Sequence, residues 1–293
     1  VSTGWARVQE LRDALVRFRK SGKPSWAHLE FAGNQEYFLA TGCAKVAASP
    51  PAMLDVSGLS AEVSFYKGAL DKLGVEAQFE GVGKYKNAPN QFTEASFTGP
   101  HREQMEALVG SLFDQYVRAI AAARGLSPQD VRAIVDRGPF HAPEAKEAGL
   151  VDELLYRDQV EDRIPAAGPV SASGYLRAGR GFGFDRRPKV ALVHAVGEIV
   201  RGDSQSSPFG GSLAGSDTIV RGLRQASEDD GVRAIILRGD SPGGSGTASD
   251  AIWREVAVAR LKKPVVVSMG DYAASGGYYI AMGADAIVAE PGT

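Results

Sequence analysis

Two stretches of this chain repeat one pattern, and a repeat narrows the choice of fold more than any other feature. "KPSWAHLEFAGNQEYFLATGCAKVAASPPA" runs from Lys23 to Ala52, and "KPVVVSMGDYAASGGYYIAMGADAIVAEPGT" from Lys263 to Thr293. Each opens Lys-Pro, continues as a strand-like run and passes through small residues to an aromatic pair, Tyr37-Phe38 or Tyr278-Tyr279. Each then reaches a glycine, Gly42 or Gly283, and a second apolar run ending at Pro50 or Pro291. One single-residue gap aligns the two. A stretch with apolar residues at helical spacing precedes each, "WARVQELRDALVRFRKSG" and "TASDAIWREVAVARLKK". The expectation is a duplicated strand–helix–strand unit. Its first copy carries Asn34-Gln35 where the second has Ser275-Gly276, and so lacks a nucleophile.

Between the copies the pattern is helical. Ser60 to Gly74 reads as an amphipathic helix with Ser60 as cap, and "VEAQFEGVGKYKN" as a strand. His101 to Gly125 reads as a long helix, followed by one capped by Ser127 with Pro128 at its first position. "HAPEAKEAGLVDELL" adds a helix, a stop at Gly149 and a short apolar run. Residues 166–189, rich in Gly, Ser, Ala and Arg, are the linker candidate. Strands "KVALVHAVGEIV" and "VRAIILRGD" then alternate with helices, which implies parallel strands. The expected organisation is a first α/β domain over 1–165, the linker, and a second α/β domain over 190–293.

Composition bounds the function classes. The 293 residues are 44% hydrophobic and 23% charged, as in an ordinary globular protein. A net charge of −2 gives no electrostatic footprint for nucleic acid or an anionic surface. The single cysteine, Cys43, excludes an intrachain disulfide. No run of about 18 apolar residues occurs, so these residues contain no membrane-spanning helix and no recognisable signal peptide. A valine start and an end just after a strand-like run suggest a piece of a longer polypeptide.

Chemistry concentrates at two glycine turns that follow strands, "RGDSPGGSGTASD" and "GDYAASGGYY". In parallel α/β sheets the loops at the carboxyl ends of strands line the site. Glycines let a substrate backbone approach, and free N–H groups ahead of a helix can hold an oxyanion. Neither turn has the spacing of a phosphate-binding loop. Ser275 is either a nucleophile or a small residue in a turn. A nucleophilic serine needs a base. The four histidines show no triad spacing: His28 and His194 read as strand core residues, His101 and His141 as solvated helix starts. Lys84 and Lys86 stand two apart in "GVGKYKNAP". A lysine is a base only when neutral, which requires burial to lower its pKa from about 10.4 by several units.

"DSPGGSGTASDAIWREV", followed by "KKPVVVSMGDYAASGGYYIAMGADAIVAEPGT", resembles the signal peptide peptidase A family of Ser-Lys peptidases. "GVEAQFEGVGKYKNAPNQF" resembles that family's lysine segment, and "EAKEAGLVDEL" its downstream turn and helix. The likeness is to the long, duplicated form, a tandem repeat of two α/β domains with a ClpP/crotonase-like spiral fold, both truncated here. It implies Ser275 as nucleophile and Lys86 as general base, with the lysine from one half and the serine from the other completing one site. It also implies that the N–H groups of Gly244 and Gly276 bind the oxyanion. Substrates would be cleaved signal peptides and other unfolded, apolar peptides, with no metal or cofactor. A membrane-associated homotetramer is implied as well, anchored by a segment absent from these residues. Two departures stand out. Asn87 follows the lysine where the family often has serine, and the serine that orients the lysine would lie beyond Thr293. Two other readings remain: a catalytically inactive peptide-binding or scaffold homologue, and an acyl-CoA enzyme of the crotonase group.

Overall fold

A computed structural model describes residues 3–164, 170–178, 188–207 and 211–293. The chain forms two compact units, one of Ala14–Arg163 and the other of Val1–Asp13 with Ile164–Thr293. Helix α1 spans Trp5–Arg19.

In the unit Ala14–Arg163, strand β1 (Trp26–Ala32), helix α2 (Asn34–Ala40) and strand β2 (Lys45–Leu54) form a parallel crossover with Trp26 opposite Lys45. The register shifts between Leu29 and Phe31, opposite Pro50-Pro51, because proline cannot donate to the ladder. Short helices α3 (Lys67–Lys72) and α4 (Asn90–Thr93) precede the long α5 (Gly99–Arg124) and α6 (Pro128–Val135). Strand β3 (Phe140–His141) pairs antiparallel with the end of β2. Helix α7 (Ala142–Glu147) leads to β4 (Glu153–Leu154), parallel to the start of β2, and to α8 (Arg157–Asp162). Tyr37, Leu54, Tyr116, Ile120 and Leu150 are fully buried, each contributing about 1.5–3 kcal/mol. The Tyr37 hydroxyl meets its burial cost by donating to the Leu150 carbonyl at 2.8 Å.

The helices expected over His101–Gly125 and after Ser127 both form. Thr98 Oγ1 accepts from the His101 N–H ahead of α5, and Ser127 Oγ from the Asp130 N–H ahead of α6. Three expectations for this unit need correction. The helix foreseen from Ser60 begins only at Lys67, because the Tyr66 N–H is taken by the Gln91 carbonyl and Phe65 packs edge-on to Phe97. The stretch 75–87 is no strand: it pairs with none, and it turns through bonds from Lys86 N–H to the Gly83 carbonyl and from Asn87 N–H to the Tyr85 carbonyl. His101 is not solvated. Thr98 takes the cap, which moves the imidazole inside, 4.8 Å from the Phe97 ring centroid.

In the other unit, α9 (Ala172–Ala178) is followed by β5 (Lys189–Val196) and β6 (Glu198–Val200). The expected linker, 166–189, lies largely outside the described residues. The single strand expected over Lys189–Val200 breaks at Gly197, and its halves enter different sheets. Strands β7 (Gln205–Ser207) and β8 (Gly211–Gly215) join β6 in a small sheet of order β6-β8-β7. Helix α10 (Ser216–Glu228), β9 (Val232–Ser241), α11 (Gly246–Arg260), β10 (Val265–Ala273), α12 (Gly276–Tyr279) and β11 (Ala286–Val288) complete the unit. The main sheet is parallel, of order β11-β10-β9-β5, with Val266 opposite Ala286. Ile219, Leu223, Ile235, Leu237, Ile252, Val256, Val265 and Val267 form its buried core. His194 stands exposed on β5, not in the core, on the face where Val190 and Leu192 are exposed too, whereas Ala195 on the opposite face is buried.

Candidate active site

Both glycine turns lie at the carboxyl ends of adjacent parallel strands. The ladder between β9 and β10 is regular as far as Gly239 opposite Met269, then shifts to Ser241 opposite Ala273. Ser241 ties the two turns together, since its carbonyl accepts from the Ala274 N–H and its Oγ from the Gly243 N–H, both at 3.1 Å.

Ser275 sits at the junction of β10 and α12 with φ 50° and ψ −118°. Among the described residues no other non-glycine has positive φ. Such a conformation costs about 1–3 kcal/mol and persists only where surrounding structure enforces it. A strained strand-to-helix turn lifts a hydroxyl clear of the backbone, as a nucleophile requires. Ser275 is exposed there, in a cleft of about 620 Å³ that it shares with Gly244, Ser249, Asp250, Gly276 and Tyr279.

The opposite lip needs glycine. Gly243 has φ 104° and Gly244 φ 150°, values an L side chain rarely adopts. Ile199 holds this turn in place, its N–H donating to the Gly243 carbonyl and its carbonyl accepting from the Ser245 N–H, each at 2.8 Å. That pairing leaves the Gly244 N–H without a backbone partner among the described residues, and the Gly276 N–H has none either. A Cβ built on Gly276 would stand 3.4 Å from the Gly244 nitrogen, so the two free donors are neighbours. Two such donors beside a serine hydroxyl can hold the oxygen of an attacked carbonyl as charge develops on it.

The ends of β9 and β10 are braced from the far end of the sequence. Asp271 accepts from the Gly4 and Arg7 N–H groups at 3.0 Å and from Thr3 Oγ1 at 3.3 Å, capping α1 in place of a local side chain. Arg7 also pairs with both Asp240 and Asp271. Arg238 grips Glu10 with two hydrogen bonds, of 2.6 and 2.8 Å. Composition and periodicity give no sign of this bracing. On the cleft wall, Tyr279 donates to Asp250 Oδ1 at 2.8 Å. The carboxylate that accepts this bond holds the phenol above its usual range, with burial and the nearby charge acting the same way.

Lys86 belongs to the unit Ala14–Arg163 and is exposed there, beside Phe79, Gly81 and Val82. The neighbouring Asn87 is buried, donating to Gln104 Oε1 at 2.8 Å and accepting from Asn90 Nδ2 at 3.1 Å. Lys84, the other lysine of the segment, reaches Glu103 at 3.7 Å. In the first strand–helix–strand unit, Asn34 opens α2 and is pinned by the Gly58 carbonyl at 2.8 Å and the Tyr116 hydroxyl at 3.1 Å. Among the described residues no three or more His, Cys, Asp or Glu side chains converge as metal ligands.

The family model described as Peptidase family S49 matches residues 17–168 and 257–293. The chain belongs to peptidase family S49. This bears out the resemblance to the signal peptide peptidase A family. The chain is 33% identical to "Serine protease SPPA, chloroplastic" of Arabidopsis thaliana, over 99% of its own length and 44% of that protein's. It is 36% identical to "Protease 4" of Salmonella typhi, over 96% of this chain and 47% of that protein. "Protease 4" of Haemophilus influenzae is 30% identical, over 96% and 48%. The chain thus spans about half the length of the curated relatives it matches. Lys86, Ser275 and Gly276 fall inside the S49-matched stretches, and Gly244 falls between them.

Proposed function

We propose that this chain carries the catalytic residues of a serine peptidase, with Ser275 as nucleophile and Lys86 as its general base. The observation that carries the reading is the backbone of Ser275, held at φ 50° beside the unpaired N–H groups of Gly244 and Gly276. Nothing about a tight turn alone calls for a strained serine facing two free donors. The base takes the hydroxyl proton as Oγ attacks the scissile carbonyl, and the two N–H groups stabilise the tetrahedral oxyanion. The protonated lysine then gives its proton to the leaving amine, and water hydrolyses the acyl-enzyme. In the reading adopted here the halves derive from one duplicated ClpP/crotonase-like spiral domain. The parallel crossovers support it, their registers set by Trp26 opposite Lys45 and Val266 opposite Ala286. Asn34 then marks the copy without a nucleophile. We extend the reading to cleaved signal peptides and other unfolded apolar peptides as substrates, and to a membrane-associated homotetramer.

The test is hydrolysis of a fluorogenic apolar peptide together with labelling by a fluorophosphonate. Ser275→Ala is expected to abolish both, and Lys86→Ala to abolish turnover. The rate should fall on the acid side as the lysine becomes protonated. Turnover that survives Ser275→Ala, or a pH profile flat between about 6 and 10, overturns the assignment.

A further inference from the structure

The wall of the cleft beside Ser275 carries the carboxylate of Asp250, with no cation paired to it among the described residues. Asp250 follows Ser249, whose Oγ occupies the space a Cβ on Gly276 would need, and it lines the same cleft as Gly244 and Gly276. It is exposed, and its Oδ1 is oriented by the Tyr279 hydroxyl at 2.8 Å. Tyr279 follows Ser275 by one helical turn, its N–H bonded to the Ser275 carbonyl at 3.0 Å. Two arginines are candidates to neutralise it. Arg254 lies one turn further along α11, and Arg201 reaches the same helix but donates its Nε to Thr247 Oγ1 at 2.9 Å. Neither is within ion-pair distance of Asp250, nor is any other cation among the described residues. A carboxylate that is fixed, exposed and unpaired in a substrate cleft is an electrostatic selector.

We propose that Asp250 favours peptides carrying a lysine or arginine side chain close to the scissile bond; this rests on the peptidase reading of the same cleft. The basic side chain lies along the wall with its charge at the free carboxylate oxygen, while the carbonyl to be attacked points to Gly244 and Gly276. Selection here is a difference in transition-state binding between two peptides, so it is read as a ratio of kcat/KM values.

The experiment uses the full chain and a set of peptides in which one lysine is walked through the positions on either side of the cleavage point. Each is compared with the same peptide carrying norleucine, which matches the stem and lacks the charge. At one position lysine should be preferred about three- to tenfold, the range of a single solvent-accessible ionic hydrogen bond. The preference should shrink as salt is raised. Asp250→Asn should bring the ratio close to one, and Asp250→Lys should invert it, so that a glutamate peptide outpaces its glutamine counterpart. Tyr279→Phe removes the hydroxyl partner but keeps the charge, so the lysine preference should survive. A ratio near one at every position, or a ratio indifferent to Asp250→Asn, overturns the inference and leaves the peptidase reading intact. A preference lost in Tyr279→Phe as fully as in Asp250→Asn makes Asp250 only the anchor of that tyrosine and also overturns it. Absence of any Ser275-dependent hydrolysis removes the peptidase reading, and this one falls with it.

Discussion

A Cβ on Gly243 would stand 2.8 Å from the backbone nitrogen of Gly276. The turn after β9 and the turn after β10 therefore touch through bare backbone, and this contact brings the N–H of Gly244 next to that of Gly276. Gly243→Ala should push the turns apart and misdirect the donors. Loss of one oxyanion donor costs about 10²–10³ in rate. We expect kcat for peptide hydrolysis to fall by at least the lower figure, with KM changing far less.

Ser275 should be a site where function opposes stability. Its φ of 50° is strained for serine and easy for glycine. Ser275→Gly should raise the unfolding free energy by about 1 kcal/mol in urea titrations, and Ser275→Ala should not, since alanine keeps the strain. Both variants should be inactive. Equal stability of the two would mean that the backbone is unstrained there.

The brace on α1 should be worth more than a surface ion pair. The side chains of Asp240 and Asp271 are only 9% and 8% exposed, whereas Arg7 is 40% exposed. Arg7→Met leaves two nearly buried carboxylates short of a partner, at a cost of about 1–3 kcal/mol. Thermal unfolding should show a lowered Tm. Asp271→Asn should lower Tm as well, because the Gly4 N–H bonds Oδ2 and the Arg7 N–H bonds Oδ1, and asparagine keeps only one acceptor oxygen for the two.

Acid should loosen the unit Ala14–Arg163 through Asp152. Burial alone would raise its pKa, but bonds from Arg124 and the Val46 N–H, with Lys45 nearby, outweigh that and hold it below the usual 3.8. A folded pKa below the unfolded one means stabilisation that is present above about pH 4 and lost as pH falls through the folded value. Asp152→Asn should cost about 1 kcal/mol at pH 7, a modest figure because solvent reaches the carboxylate. It should also flatten the decline of stability below pH 4, as followed by circular dichroism.

Local signals proved legible wherever the chemistry was local. Ser127 starts α6 by accepting from the Asp130 N–H, with Pro128 suited to the first turn, so the start of α6 follows from the letters, whereas α5 begins at Gly99 with Thr98, not His101, at its cap. The runs that became β9 and β10 are apolar enough to need burial whatever surrounds them. The segment from Ser60 to Asn87 departs from its pattern because its N–H groups are satisfied elsewhere or not in a ladder at all. Tyr66 bonds to Gln91, and a strand-like pattern without a neighbouring edge makes no strand. His101 and His194 differ from their pattern for a related reason: burial depends on what packs above a residue, which its own neighbours in sequence do not say.

The letters alone determined the family, the parallel α/β character of the second unit, and Ser275 as the serine worth asking about. Those features rest on residue type and short spacing, which a linear string carries in full. The conformation of Ser275, the bond pair from Ile199 that frees the Gly244 N–H, the capping of α1 by Asp271 and the pairing of Tyr279 with Asp250 were decided by tertiary structure. Each depends on groups far apart along the chain meeting within a few ångströms, and residue order does not specify such distances until the sheet has formed.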